Sequence, residues 1–351
     1  MFINGQLCLF LLATLLCTRA VPAQQNNPQT QPASRQICLD VDVAPKSGAP
    51  VSDLQRQDFT LLDNNVPQTV TSFKAVSGRE APIEVLLVID ALNTGYRNVI
   101  AERTEIDKFL RAEEGQLAYP IALALLTEKG PQILAEFSKD GNALSAALDR
   151  ADIGLRSVTN SSGFYGGFER WQLSLKALNQ LIVGVAPLHG RKVMLWVSPG
   201  WPLLSGRRVQ IDSKQQQEIF GSIVGLSTQL LQAGITLYSV DPLGNGESLS
   251  QGTHYMDFVK PVKKPSEVLL GNLALPVLAI QSGGLTFNFD NDIASLLQKC
   301  LSDTAPYYEI WFDPPLANHR DEYHHLEIQI AKSGLTARTR QGYYAQPLSH
   351  D

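Results

Sequence analysis

Four apolar runs constrain this chain more than anything else in it: IEVLLVID (83–90), IALALLT (121–127), RKVMLWVS (191–198) and ITLYSVD (235–241). Each is apolar at successive rather than alternate positions, so each needs cover on both faces. Strands of that kind lie in parallel sheets packed between helices. The stretches between them read as those helices. Residues 99–111 carry the stripe Ile100, Ile106, Phe109 and Leu110, and residues 168–183 carry Trp171, Leu175, Leu178 and Ile182. Further helices are expected over 141–150, 213–233, 277–281 and 292–301. GPQILAEFS (130–138) reads as a neighbouring strand of antiparallel sense, and GGLTFNF and YYEIWFDPP complete the alternation. The fold class is α/β, a mostly parallel sheet with helices on both faces, over residues 82–315. Ligand sites in such sheets lie beyond the carboxyl ends of the strands, where the strand order reverses. The loops after Asp90, Ser198 and Asp241 therefore share one edge.

The flanks have a different rhythm. Ile37, Leu39, Val41 and Val43 alternate with polar residues, as in a half-buried strand, and KSGAPV supplies turn chemistry through Gly48 and Pro50. DFTLLDNNVPQTVTSFKAV reads as two strands about a tight turn at Asp63-Asn64-Asn65. After Pro315, Leu326, Ile328 and Ile330 alternate before a turn at Ser333-Gly334 and a further strand through Leu335, Ala337 and Thr339. A lone hairpin is marginal in water. Residues 37–76 and 317–345 are therefore expected to join as one small β-sandwich into which the α/β domain is inserted.

LCLFLLATLLC (7–17) is apolar and uncharged but shorter than the roughly 20 residues that span a bilayer. With small residues at Val21 and Ala23 it reads as a secretory signal over 1–23, followed by a polar, Gln- and Pro-rich linker over 24–36. The expected destination is the periplasm or the extracellular space, with no integral membrane segment once the signal is removed. In that compartment Cys38 and Cys300 can bridge, or remain as two free thiols; the sequence leaves both open. With 29 basic against 34 acidic residues the net charge is −5, which gives no reason to expect a nucleic-acid partner.

The order of segments, DLQRQDFTLLDNNVPQTVTSF, then PIEVLLVIDALNT, RKVMLWVSPG, ITLYSVDPLG and a closing QGYYA, resembles the bacterial von Willebrand factor A-related proteins, exported proteins common in acidobacteria. The resemblance covers nearly all of 37–345 and implies a von Willebrand A-like, Rossmann-type fold. Typical A domains hold Mg²⁺ above the sheet with an Asp-x-Ser-x-Ser loop, a Thr from a second loop and an Asp from a third. Here the first loop is Asp90-Ala91-Leu92-Asn93-Thr94, so Asp90 and Thr94 match while Leu92 offers no oxygen. Ser161 and Ser162 stand near the second loop, and Ser198-Pro199-Gly200 replaces the carboxylate of the third. Mg²⁺ needs an octahedron of oxygens, and the resemblance therefore implies a degenerate site without a cofactor. Its alternative is a partly retained Mg²⁺ site at Asp90 and Thr94. Asp90 reads otherwise as a cap on its own loop.

Other chemistry is weaker. WVSPG lacks the Gly before x-Ser of a hydrolase elbow, because Trp196 occupies that place. His319, His324 and His325 with Asp321 and Glu322 suggest a metal cluster, but adjacent histidines on a strand face opposite ways, and they read as surface residues of an edge strand. The glycines of GGLTF and DPLGNGE do not have phosphate-loop spacing. The long irregular stretch 246–266 is a candidate contact loop. The expected function is a non-enzymatic protein-binding module of adhesion or scaffold type. Its binding loops carry Asp90, Asn93, Thr94, Ser161, Ser162, Ser198 and Asp241. Mg²⁺-dependent adhesion and hydrolysis through Ser198 are the alternatives.

Overall fold

The computed structural model describes residues 36–45, 51, 53–78, 81–151, 164–202, 211–243, 254–288 and 290–347. The expected signal (1–23), the linker up to residue 35 and the turn at Gly48 and Pro50 lie outside the described residues.

The chain opens with β1 (Ile37–Pro45), β2 (Phe59–Asp63), β3 (Val66–Pro67) and β4 (Val70–Val76). Asn64 and Asn65 both take left-handed φ, 49° and 65°, which closes the β2–β3 hairpin with the two-residue turn that strand twist favours. Then come β5 (Ile83–Asp90), α1 (Tyr96–Arg111), β6 (Gln116–Thr127), β7 (Gly130–Asp140), α2 (Gly141–Arg150), α3 (Phe164–Val185), β8 (Arg191–Val197), α4 (Ser213–Gln232), β9 (Ile235–Val240), α5 (Leu275–Gln281), β10 (Thr286–Phe287) and α6 (Ile293–Asp303). The order across this sheet is β10-β9-β8-β5-β6-β7, parallel except for β7, which runs antiparallel to β6. Successive side chains serve opposite cores. Leu86, Val88, Met194, Trp196 and Leu237 face α3, α4 and α5, whereas Val85, Leu87, Ile89, Leu195 and Tyr238 face α1, α2 and α6. This is a mostly parallel sheet flanked by helices on both faces, the expected α/β class. Polar caps set the helix starts: Asp140 accepts from Ala143 N, Asp292 from Ser295 N, and Asp212 forms a reciprocal box with Gln215. Helix α1 begins three residues before the expected start, and Ile100 is exposed, its place on the stripe taken by Val99.

The chain closes with β11 (Tyr307–Phe312), β12 (Glu322–Ile330), β13 (Leu335–Arg338) and β14 (Gly342–Ala345). Two four-stranded sheets result, ordered β13-β1-β11-β4 and β14-β12-β2-β3, and they face each other across Leu39, Val41, Leu61, Tyr308, Ile310, Phe312 and Leu326. One expectation is corrected. YYEIWF was assigned to the α/β domain, but β11 runs antiparallel between β1 and β4, so the boundary falls before Tyr307 rather than at 315. The reason is a division of faces: Tyr308, Ile310 and Phe312 fill the sandwich, while Tyr307 packs beneath the α/β sheet. A second correction concerns β12, which is an interior strand. His325 is exposed as expected, but His324 is buried, with Nδ1 2.8 Å from Asp63 Oδ1.

Arg191, the first residue of β8, joins the two halves. Its guanidinium grips Asp42 of β1 at 2.7 and 3.0 Å, donates to Thr304 O at 3.0 Å and lies 4.8 Å above the Tyr307 ring. Arg338 of β13 reaches the same Asp42 at 2.9 Å and also bonds Asp303 and Gly283 O; Tyr238 closes the network on Asp303 at 2.6 Å. Burial alone would lower the Arg191 pKa, and Asp42 more than reverses this, so the group stays charged. Gly190 makes the approach feasible: its φ is +78°, and a β-carbon there would sit 2.1 Å from Pro82 O.

Cys38 on β1 and Cys300 on α6 are free thiols, so of the two alternatives the bridge is not formed. Cys300 points into the α/β core with Leu297 and Leu301, while Cys38 lies in the outer sheet opposite Trp311. Burial raises the pKa of both thiols. Among the described residues no helix is long and apolar enough to cross a membrane.

Removing one member of a buried ion pair leaves the other charge stranded, at a cost of about 3–5 kcal/mol. Arg191→Ala should lower stability by that order, and Arg191→Lys, which keeps the charge without the fork, by less. Denaturant unfolding followed by tryptophan fluorescence measures both.

Candidate functional site

Register brings three strand ends together. Ile89 pairs with Val197 and Val197 with Val240, so Asp90, Ser198 and Asp241 emerge side by side at the carboxyl edge of the sheet. Strand β5, covered on both faces, delivers the Asp90 carboxylate into a fully buried position.

Five donors meet that carboxylate. Oδ1 accepts from Leu92 N at 3.1 Å and Asn93 N at 3.0 Å. Oδ2 accepts from Asn93 Nδ2 at 2.9 Å, Trp196 Nε1 at 3.1 Å and Ser198 Oγ at 2.9 Å. Burial raises the Asp90 pKa, and the Asn93, Trp196 and Ser198 donors pull against that shift. Asn93 also donates to Ser174 Oγ at 2.9 Å, which ties the loop to α3, and Ser174 in turn donates to Arg170 O. Ser198 Oγ gives its proton to Asp90 and accepts from Gly200 N at 3.1 Å, so the hydroxyl serves to hold the β8 loop. Asp241 accepts from Leu243 N at 3.0 Å and turns its own loop in the same way.

Asp90, Asn93, Ser198 and Ser174 thus form one connected hydrogen-bonded group. Thr94 is buried nearby but is not hydrogen-bonded to this group. Leu92 is buried as an apolar residue. Ser161 and Ser162 lie outside the described residues, as do 246–253 of the candidate contact loop.

The sequence reading missed Glu102. It projects from α1 into the space beneath this edge, almost fully buried, and neither carboxylate oxygen has a hydrogen-bond partner. Burial pushes its pKa up to about 8; the negative charge of Asp90 adds to the shift, the neighbouring Thr94 hydroxyl opposes it, and the charge of Asp241 adds weakly. A signal was available: Val99, Glu102 and Ile106 fall at i, i+3 and i+7, so a carboxylate occupies a position on the apolar stripe.

The histidine-rich segment does not converge. His324 sits in the sandwich beside Asp63, whose Oδ2 accepts from Tyr343 Oη at 2.6 Å. Glu322 instead accepts from Asn318 N, and His319 lies against Arg320 O.

No family model and no curated protein matches the chain. Among solved structures, it is similar to proximal thread matrix protein 1 from the mussel byssus at 11% identity and a TM-score of 0.38, covering 67% of this chain and 49% of that one. The chain therefore spans about half the length of the mussel protein. BatB from Bacteroides thetaiotaomicron is similar at 10% identity and a TM-score of 0.34, over 64% of this chain and 98% of its own. The SpRpn10 VWA domain is similar at 16% identity and a TM-score of 0.25, over 55% and 93%. Overlaps this loose assign neither family nor function.

The Glu102 shift fixes a pH dependence. A carboxyl group whose folded pKa lies above its unfolded value is protonated in both states at low pH and imposes no penalty there. As pH rises from about 4.5 towards 8, only the unfolded chain ionises freely, and stability falls. At pH 7 the loss is about 3 kcal/mol. Glu102→Gln, assayed in a chelator by thermal unfolding between pH 5 and 8, should raise Tm near neutrality and flatten the decline; an unchanged slope would refute the assignment.

Proposed function

We propose that the chain is an exported, non-enzymatic protein-binding module of adhesion or scaffold type, which grips a partner with the loops at the carboxyl edge of its sheet. The observation that carries this reading is the combination of a rigid base and an exposed aromatic side chain in the first turn of α3. Asp90 accepts five hydrogen bonds, three from its own loop and two, from Trp196 and Ser198, that lock the end of β5 to the end of β8. Tyr165, in the first turn of α3 at that edge, is 83% exposed. Aromatic side chains are enriched where proteins meet. A preorganised base keeps the ordering cost of binding low. Export is supported by the apolar segment 7–17 and the small residues at Val21 and Ala23.

A non-enzymatic role is supported by the place of Ser198, which is fully buried away from any substrate and whose hydroxyl is engaged on both sides by Asp90 and Gly200 N. The cation position that the first-loop pattern implies at Asp90 and Thr94 is degenerate in this reading, because protein donors occupy both Asp90 oxygens.

Truncation of a central interface aromatic typically costs about 2 kcal/mol, roughly thirtyfold in affinity. Photo-crosslinking from position 165 in the native cell envelope identifies the partner, and titration of that partner measures the effect. Tyr165→Ala should weaken binding by at least tenfold. His189→Ala, an exposed change at the opposite edge, should leave binding unaltered. Equal effects from both edges would reject the reading.

A further inference from the structure

A cavity of about 20 Å³ lies at the amino edge of the central sheet, where the first residues of β8 and β9 meet the sandwich. Its walls include Arg191, Thr339 and Arg340. The chain that carries Arg340, between β13 and β14, lies flush against the turn after α5. Gln341 N donates to Gln281 O at 3.2 Å, and a β-carbon at Gly283, whose φ is +92°, would sit 2.8 Å from Arg340 N. Arg340 is 7% exposed, yet among the described residues no carboxylate comes within ion-pair distance of its guanidinium and no group accepts a hydrogen bond from it. Acceptors are short because Asp42 is taken by Arg191 and Arg338, and Asp303 by Arg338 and Tyr238. Burial lowers the Arg340 pKa to about 10, with Asp40 supporting the charge from a distance.

Two further donors on the same walls are unengaged. Arg191 Nε and the Thr339 hydroxyl are buried without hydrogen-bond partners. A buried cation and buried donors that lack acceptors call for an anion. A free guanidinium fork suits a small anion, and a carboxylate above all. The volume limits the occupant: one water needs about 10–15 Å³, so this cavity takes one or two atoms of that size. We propose that the cavity binds a small monovalent anion, chloride or a formate-sized carboxylate, between the Arg340 guanidinium, Arg191 Nε and the Thr339 hydroxyl, together with a proton on Asp40.

Asp40 is the competitor for these donors. Its carboxylate borders the same cavity, 3.7 Å from Arg191 Nε, too far for a hydrogen bond. Around it stand Arg191 and Lys192 of β8, Tyr307 and Glu309 of β11, and Arg340. Cys38 and Asp42 flank it on its own strand. Burial raises the Asp40 pKa to about 6, against the pull of Arg191. Below that pH the carboxyl group is neutral and leaves the anion the full charge of Arg340. Above it two negative charges share the cavity and repel. Anion binding therefore takes up a proton and tightens as pH falls. The bound anion would clasp β8 of the central sheet to the segment between β13 and β14.

The test uses the full chain in sodium gluconate, whose anion is too bulky to enter, with chloride or formate substituted at constant ionic strength. Thermal unfolding and the chloride NMR line width are followed at pH 5 and pH 7.5. At least one of the two anions should raise Tm saturably, and more at pH 5. The chloride line should broaden with the protein and sharpen again when formate displaces the bound ion. Arg340→Met, which keeps the length of the side chain without its charge, should abolish both signals. Thr339→Val, a second variant should the first fold poorly, should raise the half-saturating concentration several-fold. Lys214→Gln, which removes an exposed cation on α4, should change neither signal. Absence of both signals in the unaltered chain overturns the proposal, and the Arg340 guanidinium is then served by water alone. So does a response undiminished in both Arg340→Met and Thr339→Val, or one equally strong at the two pH values. None of these outcomes depends on a protein partner, so they stand apart from the crosslinking experiment.

Discussion

The Arg191–Asp42 pair is the constraint on which the rest of the architecture depends. Arg191 begins the central strand of the α/β sheet, and Asp42 belongs to the first strand of the sandwich. Neither charge tolerates that depth alone. Their meeting fixes the sandwich beneath the amino edge of the sheet and brings Arg338, Asp303 and Tyr238 into one network. Asp40 lies at the margin, 3.7 Å from Arg191, and burial holds its pKa up at about 6 despite the guanidinium. Polar, directional contact at the joint specifies one relative placement of the two halves, which apolar packing such as Tyr344 against Phe220 would define less sharply.

The two edges of the sheet use charge in opposite ways. At the amino edge positive and negative groups pair. At the carboxyl edge Asp90, Asp241 and Glu102 approach each other with only dipolar donors in between. Asp90 is served well by those donors and becomes a tie between β5 and β8. Glu102 is served poorly. A carboxylate kept at an energetic disadvantage is the kind of group that persists where a ligand or a proton is part of the working state.

Much of this was legible beforehand, for a physical reason. Period and composition report how many faces of a segment are covered, so IEVLLVID, IALALLT, RKVMLWVS and ITLYSVD marked the parallel strands, and Asn64-Asn65 marked a turn. The strand YYEIWF was misassigned because alternation tells that a strand has two faces but not which cores they meet: Tyr307 serves one and Tyr308 the other. His324 was read as surface because the sequence does not reveal that β14 and β2 flank its strand on both sides. The Asp90 loop was recognisable as a strand end. The five donors were not, since Trp196 and Ser198 lie more than a hundred positions away. Glu102 could have been noticed from its helical spacing, whereas its unsatisfied oxygens are a property of packing alone.

One feature of the sandwich bears on how the molecule comes into being. Among the described strands β1 pairs with β11 and β13, and the β2–β3 hairpin gains its other neighbour from β12. During synthesis the earliest strands therefore wait for the last fifth of the polypeptide before they can be paired. Such distant closure slows folding, because the entropy of a long loop is lost before any contact compensates it. An intermediate with the central sheet assembled and β1 and β2 still bare would expose two sticky edges, and escort by a holding chaperone until release of the carboxyl-terminal strands would suit a chain wired in this way.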